Sequence, residues 1–243
     1  MAQVRRSASG AKTPRTAALW FGSVAAVLVF VAIALLVHGG WTPLLRLDTC
    51  IANGLNRYVV AHRRQVHAWK VVSAVLSPTV LRLIALAAGI ALWVRDGLRS
   101  AVFVIVAVEG TAVLSTLTKD LVNRTRPSVP VPVAHAGGGS YPSGHALTSC
   151  VAVGVVLVVL VPSLRAAAAR GLVVVAMLIV LAVGFSRLIL GVHYLSDVIG
   201  GWLLAIAWLL ALTALLPRAQ GWHPQQTRRR PGPGRGSTPI TEG

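Results

Sequence analysis

Apolar residues run through this chain in long blocks rather than in short alternations. Residues 17–37 form the first, 21 positions without a charge, long enough at about 1.5 Å per residue to cross a bilayer as a helix. Residues 71–94, 101–117, 146–161, 171–185 (with an extension to 190) and 198–216 are apolar blocks of similar kind, the second holding Arg82 and the third Glu109 near its middle. The pattern therefore predicts six spans, the second the least clean because Pro78 and Arg82 interrupt it. The first block is longer than the apolar core of a secretory signal peptide and reads as a retained span. Between the first two blocks, Leu44, Leu47, Ile51, Leu55 and Val59 recur at helical spacing, with Arg46, Asp48 and Asn56 between them. That predicts an amphipathic helix, lying in the membrane interface or packed on the spans.

Composition excludes a soluble globular domain. Apolar residues make up 55% of the chain and charged ones 12%, with a mean hydropathy of +0.73, against about a quarter charged in soluble domains. Lys and Arg number 23 against 6 Asp and Glu, a net charge of +17. No basic stripe interleaves with aromatics, so no nucleic-acid partner is expected. The bases instead gather in tails and short loops, where they set topology. Six spans put both ends on one side, which carries 13 Lys and Arg against 9 on the other. The expectation is a multi-pass cell (inner) membrane protein with cytoplasmic termini. Residues 1–16 read as a basic cytoplasmic tail and 17–216 as the membrane domain. Residues 217–243 read as a disordered Pro/Gly-rich tail whose Arg228, Arg229 and Arg230 suit a topology signal or an anionic lipid surface. Cys50 and Cys150 have no metal-ligand spacing, and no cofactor is expected.

Three polar motifs adjoin the blocks. The first, Lys119-Asp120-Leu121-Val122-Asn123-Arg124-Thr125-Arg126-Pro127, follows the third. A continuing helix would set Lys119 and Arg126 on one face, until Pro127 stops it. Arg offers phosphate a planar fork and Lys a point charge; a solvated basic helix end would read the same way. The second motif, Tyr141-Pro142-Ser143-Gly144-His145, opens the fourth block. The free N–H groups of a helix start favour anions. Ser143 can cap the helix or donate to a phosphate oxygen, Gly144 permits close approach, and His145 can give a proton from the first turn. An ordinary cap with an incidental histidine is the alternative. In the third motif, Ser186-Arg187 is followed after five residues by His193 and after three more by Asp197. At i, i+4 the last two would stack on the starting sixth helix, as an oriented nucleophile or a structural ion pair. Six-span topology brings 118–145 and 186–197 to one side. Three cations, two histidines and a carboxylate then converge, at a cost of several kcal/mol unless solvated or paired with an anion such as phosphate.

Together, Lys-x6-Arg-Pro, Pro-Ser-Gly-His and Ser-Arg-x5-His-x3-Asp resemble the signature of the type 2 phosphatidic acid phosphatase (lipid phosphate phosphatase) family, whose fold is shared with vanadium haloperoxidases. The resemblance covers roughly residues 70–216, with every signature position present. It implies an all-α fold, a six-helix transmembrane bundle. It implies that His193 attacks phosphorus and forms a phosphohistidine, that Asp197 orients and stabilises His193, and that His145 protonates the departing oxygen. Lys119, Arg126 and Arg187, with Ser143 and the Gly144 backbone, would bind the phosphoryl oxygens without a metal.

The function so implied is an integral-membrane lipid phosphate or diphosphate phosphatase with its site on the extracytoplasmic face. Its substrate would be a polyprenyl diphosphate, phosphatidic acid, phosphatidylglycerol phosphate or a related lipid. A catalytically silent lipid-binding or transport module and a vanadate-dependent haloperoxidase are the alternatives. The implied partners are the lipid phosphate substrate and membrane lipids, and no obligate protein partner is evident. Two further expectations concern the surroundings. Arg82 and Glu109, both near mid-span, should pair inside the bundle. The Pro- and Gly-rich loop 128–140, with a solvent-facing His135, reads as a connector or a gate.

Overall fold

The computed structural model describes residues 14–216. The tail expected at 217–243, and all but the last three residues of that at 1–16, lie outside the described residues. All regular structure described is helical: α1 (Pro14–His38), α2 (Thr42–Ala61), α3 (Arg63–Val75), α4 (Pro78–Asp96), α5 (Leu98–Val122), α6 (Gly144–Leu160), α7 (Ala166–Ile189) and α8 (Leu195–Leu215), with one 3-10 turn, Val161–Ser163, extending α6.

Six stretches are long and apolar enough to cross a membrane: Thr16–His38, Arg63–Val94, Leu98–Val122, Gly144–Ser163, Ala166–Ile189 and Leu195–Leu215. They are the six blocks of the sequence, each longer than its apolar run. The second is two helices. Pro78 does not interrupt a helix but starts one, at a position where its missing N–H costs nothing. Ser77 caps it, accepting the Val80 N–H on its hydroxyl at 3.4 Å.

Helix α8 lies centrally, against α1 and α6, while α4 pairs with α5 and α6 also packs on α5 and α7. Phe30, Val108, Tyr141, Leu147, Val151 and Leu204 meet in the main core. Phe21, Leu28, Leu83, Val174 and Leu178 point outward and are largely exposed, as hydrocarbon requires and water would not tolerate. Several polar groups inside the bundle find backbone partners. Tyr141 donates its hydroxyl to the Phe30 carbonyl at 3.1 Å, Trp208 its ring N–H to Ala107 at 2.9 Å, and Ser23 its hydroxyl to Ala207 at 2.9 Å.

Two sequence expectations change. In α2 the buried line is Asp48, Ala52, Asn56 and Val59, whereas Leu47 of the expected apolar stripe is 52% exposed. A polar line can face inward because each polar member has partners there. Asn56, for example, donates to the Val131 carbonyl at 2.8 Å and accepts its N–H at 3.2 Å, pinning the 128–140 loop. Nor do Arg82 and Glu109 form an ion pair; Glu109 is exposed. The α4–α5 hairpin sets Gly89 against Ile105, a register that carries Arg82 about one turn past the level of Glu109.

Both connections bearing the motifs, 123–143 and 190–194, fall at the end of the bundle where α1 finishes and α2 begins. His38 marks the junction, its Nδ1 3.4 Å from the Val122 carbonyl. Gly201 sets the closest helix approach there: a Cβ on it would stand 2.7 Å from the Ser143 carbonyl and 3.1 Å from the Leu147 nitrogen. Backbone cannot yield as a side-chain tip can. Gly201→Ala is therefore expected to destabilise the fold by about 1–3 kcal/mol, read as a lower thermal midpoint in detergent.

Candidate active site

Lys119 sits in the last turn of α5. The helix does not continue to Arg126, as the seven-residue spacing suggested. Asn123 adopts a left-handed conformation (φ 46°, ψ 43°) and donates its N–H to the Lys119 carbonyl at 2.8 Å, ending α5. The turn sends Arg126 across to the α7–α8 connection. There its Nη1 donates to the Val192 carbonyl at 2.7 Å and stands 3.2 Å from His193 Nε2. Its Nη2 donates to Gly137 at 2.7 Å and its Nε to Gly138 at 3.1 Å, tying the glycine-rich part of the loop to the site.

His193 is not on a helix either. Tyr194 is the N-cap of α8, and Asp197, its third residue, accepts the Tyr194 N–H at 2.8 Å. A carboxylate at that position satisfies an orphan N–H and favours the helix dipole, which explains why α8 begins at Leu195 and not earlier. The pairing still forms, with His193 Nδ1 3.4 Å from Asp197 Oδ2. His193 is 3% exposed and Asp197 fully buried. Arg126 can only donate, so Nε2 accepts and the ring proton sits on Nδ1, toward the carboxylate. Burial draws the His193 pKa down to about 4, outweighing the upward pull of Asp197. The ring is therefore neutral at neutral pH, with its lone pair on Nε2.

Ser143 is the N-cap of α6 by position, but its hydroxyl caps nothing. The residue is fully buried, its N–H donates to the Asp197 carbonyl at 2.9 Å, and its Oγ has no partner. Lys119 Nζ lies 3.9 Å from where a Cβ on Gly144 would stand, so the missing side chain opens that approach. Arg187, at the end of α7, donates through Nη1 to the Ser73 hydroxyl on α3 and leaves its buried Nε unpartnered. The charges of Arg187, His193, Lys119 and Arg126 all act on His145, half-buried in the first turn of α6. All eight residues picked from the sequence thus meet at this end of the bundle. Buried donors without partners cost about 1–3 kcal/mol each. Ser143 Oγ and Arg187 Nε, beside three cations and an unprotonated imidazole nitrogen, make a cradle suited to a tetrahedral oxyanion.

Sequence reasoning missed the groups behind Asp197. Arg124 donates to Asp197 Oδ1 at 2.6 Å and to Asp48 Oδ2 at 2.8 Å. Its guanidinium lies 4.1 Å from the centre of the Tyr194 ring. Ser196 donates its N–H to Asp48 Oδ1 at 3.0 Å and its hydroxyl to Oδ2. The available signals were weak: Arg124 within the first motif, and Asp48 as one of only six acids.

Fold and site together define a multi-pass helical membrane protein with a buried histidine–aspartate pair ringed by cations at one end of its bundle. The chain belongs to the PAP2 superfamily, whose family model matches residues 98–220. Over 95 residues it is 33% identical to phosphatidylglycerophosphatase B of Bacillus subtilis (strain 168), a stretch amounting to 38% of this chain and 46% of that protein. The match thus spans less than half the length of this curated relative. The fold is that of a transmembrane PAP2 type phosphatidylglycerolphosphate phosphatase from Bacillus subtilis, whose crystal structure superposes with a TM-score of 0.73 at 20% identity, covering 84% of this chain and all of that one.

Because the Ser143 hydroxyl has no partner to lose, Ser143→Ala should leave the thermal midpoint nearly unchanged. It should weaken competition by an oxyanion such as vanadate or inorganic phosphate about tenfold, the worth of one hydrogen bond to a charged ligand.

Proposed function

We propose that the protein is an integral-membrane phosphatase of lipid phosphates that works through a phosphohistidine on His193. The observation that carries the reading is the state of that ring: Nδ1–H faces Asp197 and the Nε2 lone pair faces Arg126, at the centre of the cation ring. The likeness to phosphatidylglycerophosphatase B favours a glycerophospholipid monoester such as phosphatidylglycerol phosphate. Phosphatidic acid and polyprenyl diphosphates share the reacting group.

An incoming phosphate takes over the donors that Arg126 spends on the imidazole, freeing Nε2. Lys119, Arg126, Arg187, the Ser143 hydroxyl and the backbone at Gly144 hold the phosphoryl oxygens, where charge gathers in the transition state. Nε2 forms a bond to phosphorus as the bond to the lipid oxygen breaks, and His145 gives that oxygen its proton. Asp197 steadies the positive charge on the ring. Water then attacks phosphorus, His145 takes its proton, and inorganic phosphate leaves with His193 restored. The site lies at the end of the bundle opposite the start of α1 and the end of α8, and the basic-residue bias favours the extracytoplasmic face for it.

Detergent-solubilised protein should release inorganic phosphate from one or more members of a panel holding phosphatidic acid, phosphatidylglycerol phosphate and a polyprenyl diphosphate. His193→Ala should lower that release by at least about 10³-fold and His145→Ala by about 10²–10⁴-fold, both with unchanged gel-filtration behaviour. Near-normal turnover in His193→Ala would remove the nucleophile assignment. Activity should survive EDTA.

The pH profile carries a sign. Attack needs neutral His193, so kcat/KM should fall on the acid side as pH drops toward the value to which burial takes the ring, about 4. An acid limb set by a ring left at its ordinary 6.5 would contradict this.

A further inference from the structure

Two carboxylates are buried among the described residues, Asp48 and Asp197, and the mechanism uses only the second. Asp48 sits on α2, well ahead of the segment that the family model matches. Its oxygens are fully engaged, Oδ1 by the Ser196 N–H and Oδ2 by the Ser196 hydroxyl and Arg124. Arg124 in turn splits its planar fork between Asp48 and Asp197, at 2.8 and 2.6 Å, under the Tyr194 ring.

This division matters for the nucleophile. Asp197 uses Oδ1 for Arg124 and Oδ2 for the Tyr194 N–H and the His193 ring. The His193 contact, at 3.4 Å, is the longest of these. It is the first to fail if the carboxylate turns about its own axis. Among the described residues only Arg124 holds the far oxygen, through the Nη1 that it also donates to the Ser196 hydroxyl, and only Asp48 holds the other nitrogen, Nη2. The chain of contacts joins α2, the connection after α5, and α8.

We infer that Asp48 and Arg124 are positioning residues for the reaction: Asp48 fixes Arg124, Arg124 fixes the Asp197 carboxylate, and that carboxylate fixes the ring of His193. The kinetic part of the test rests on the phosphatase reading; the spectroscopic part does not.

Asp48→Asn, Arg124→Gln and the double variant are made in the full chain and assayed in detergent with a lipid phosphate that the wild type hydrolyses. Each single change should lower kcat at least about tenfold while KM stays within about twofold. The double variant should be no worse than the poorer single one, because both act along one chain of contacts. In parallel, the imidazole 15N shifts of His193 in histidine-labelled protein report which ring nitrogen carries the proton. The wild type should show the proton on Nδ1, and both variants a mixture. Wild-type kcat in both variants, additive losses, or a matching rise in KM would overturn the inference. Should Arg124→Gln not survive solubilisation, Arg124→Lys keeps the charge but can serve only one carboxylate, and wild-type kcat in it would be equally fatal. A wild type that releases phosphate from no lipid would sink the phosphatase reading alone. The His193 shifts then decide the positioning role, changed shifts in the variants supporting it and unchanged shifts refuting it.

Discussion

Two carboxylates share one guanidinium, buried at the end of the bundle where α1 finishes and α2 begins, and the geometry of the site follows from that arrangement. A lone buried carboxylate would cost several kcal/mol or take up a proton. Arg124 bonds to both Asp48 and Asp197, and backbone N–H groups of Ser196 and Tyr194 complete their coordination. Three separately folded pieces are thereby fastened together: α2, the turn after α5, and the start of α8. The same carboxylate that caps α8 also faces the His193 ring, so the helix start and the histidine–aspartate contact have one cause.

The ring of His193 is neutral because of where the fold buries it. Burial and neighbouring cations oppose its protonation, while Asp197 alone favours it. The outcome is a lone pair on Nε2, held by Arg126. That guanidinium also holds the carbonyls of Gly137 and Gly138. The glycine-rich loop is therefore neither a bare connector nor a free flap; it is fastened at Asn56–Val131 and at Arg126. A ligand that competes for Arg126 acts on the loop and the nucleophile at once.

Much of this was legible in the sequence, and the limits are physical. Six long apolar blocks, two of them with a single charge, announced six spans because lipid demands length and apolarity and little else. The eight residues picked from the sequence lie together at one end of the bundle because their spacings placed them beside span ends on one side. Local backbone was not. Asn123 turning left-handed and Asp197 capping its own helix are side-chain events of one or two residues, invisible to a period of 3.6. Asp48 was harder still. Its partner lies 76 residues away, and an amphipathic pattern assigns a carboxylate to the wet face unless a buried guanidinium is known to await it. Arg82 and Glu109 failed in the opposite way: the charges suggested a pair that the α4–α5 register keeps apart.

Charge balance ties these strands together. Within the site stand four cations, Arg124, Arg126, Lys119 and Arg187, against two carboxylates, with His193 neutral. Arg124 is consumed by the two acids and cannot serve a ligand. The other three look toward His145 and His193, and one acid's worth of charge is left to offset them. The surplus of two positive charges matches in size, and opposes in sign, the charge of a fully ionised phosphate monoester. Had Asp48 been absent, Arg124 would pair with Asp197 alone, and the surplus would rise to three. Had Arg124 been absent, two buried acids would face each other beside the His193 ring with no cation between them. The buried triad thus holds the carboxylate that faces the His193 ring and, together with the three remaining cations, leaves the cluster two positive charges in excess.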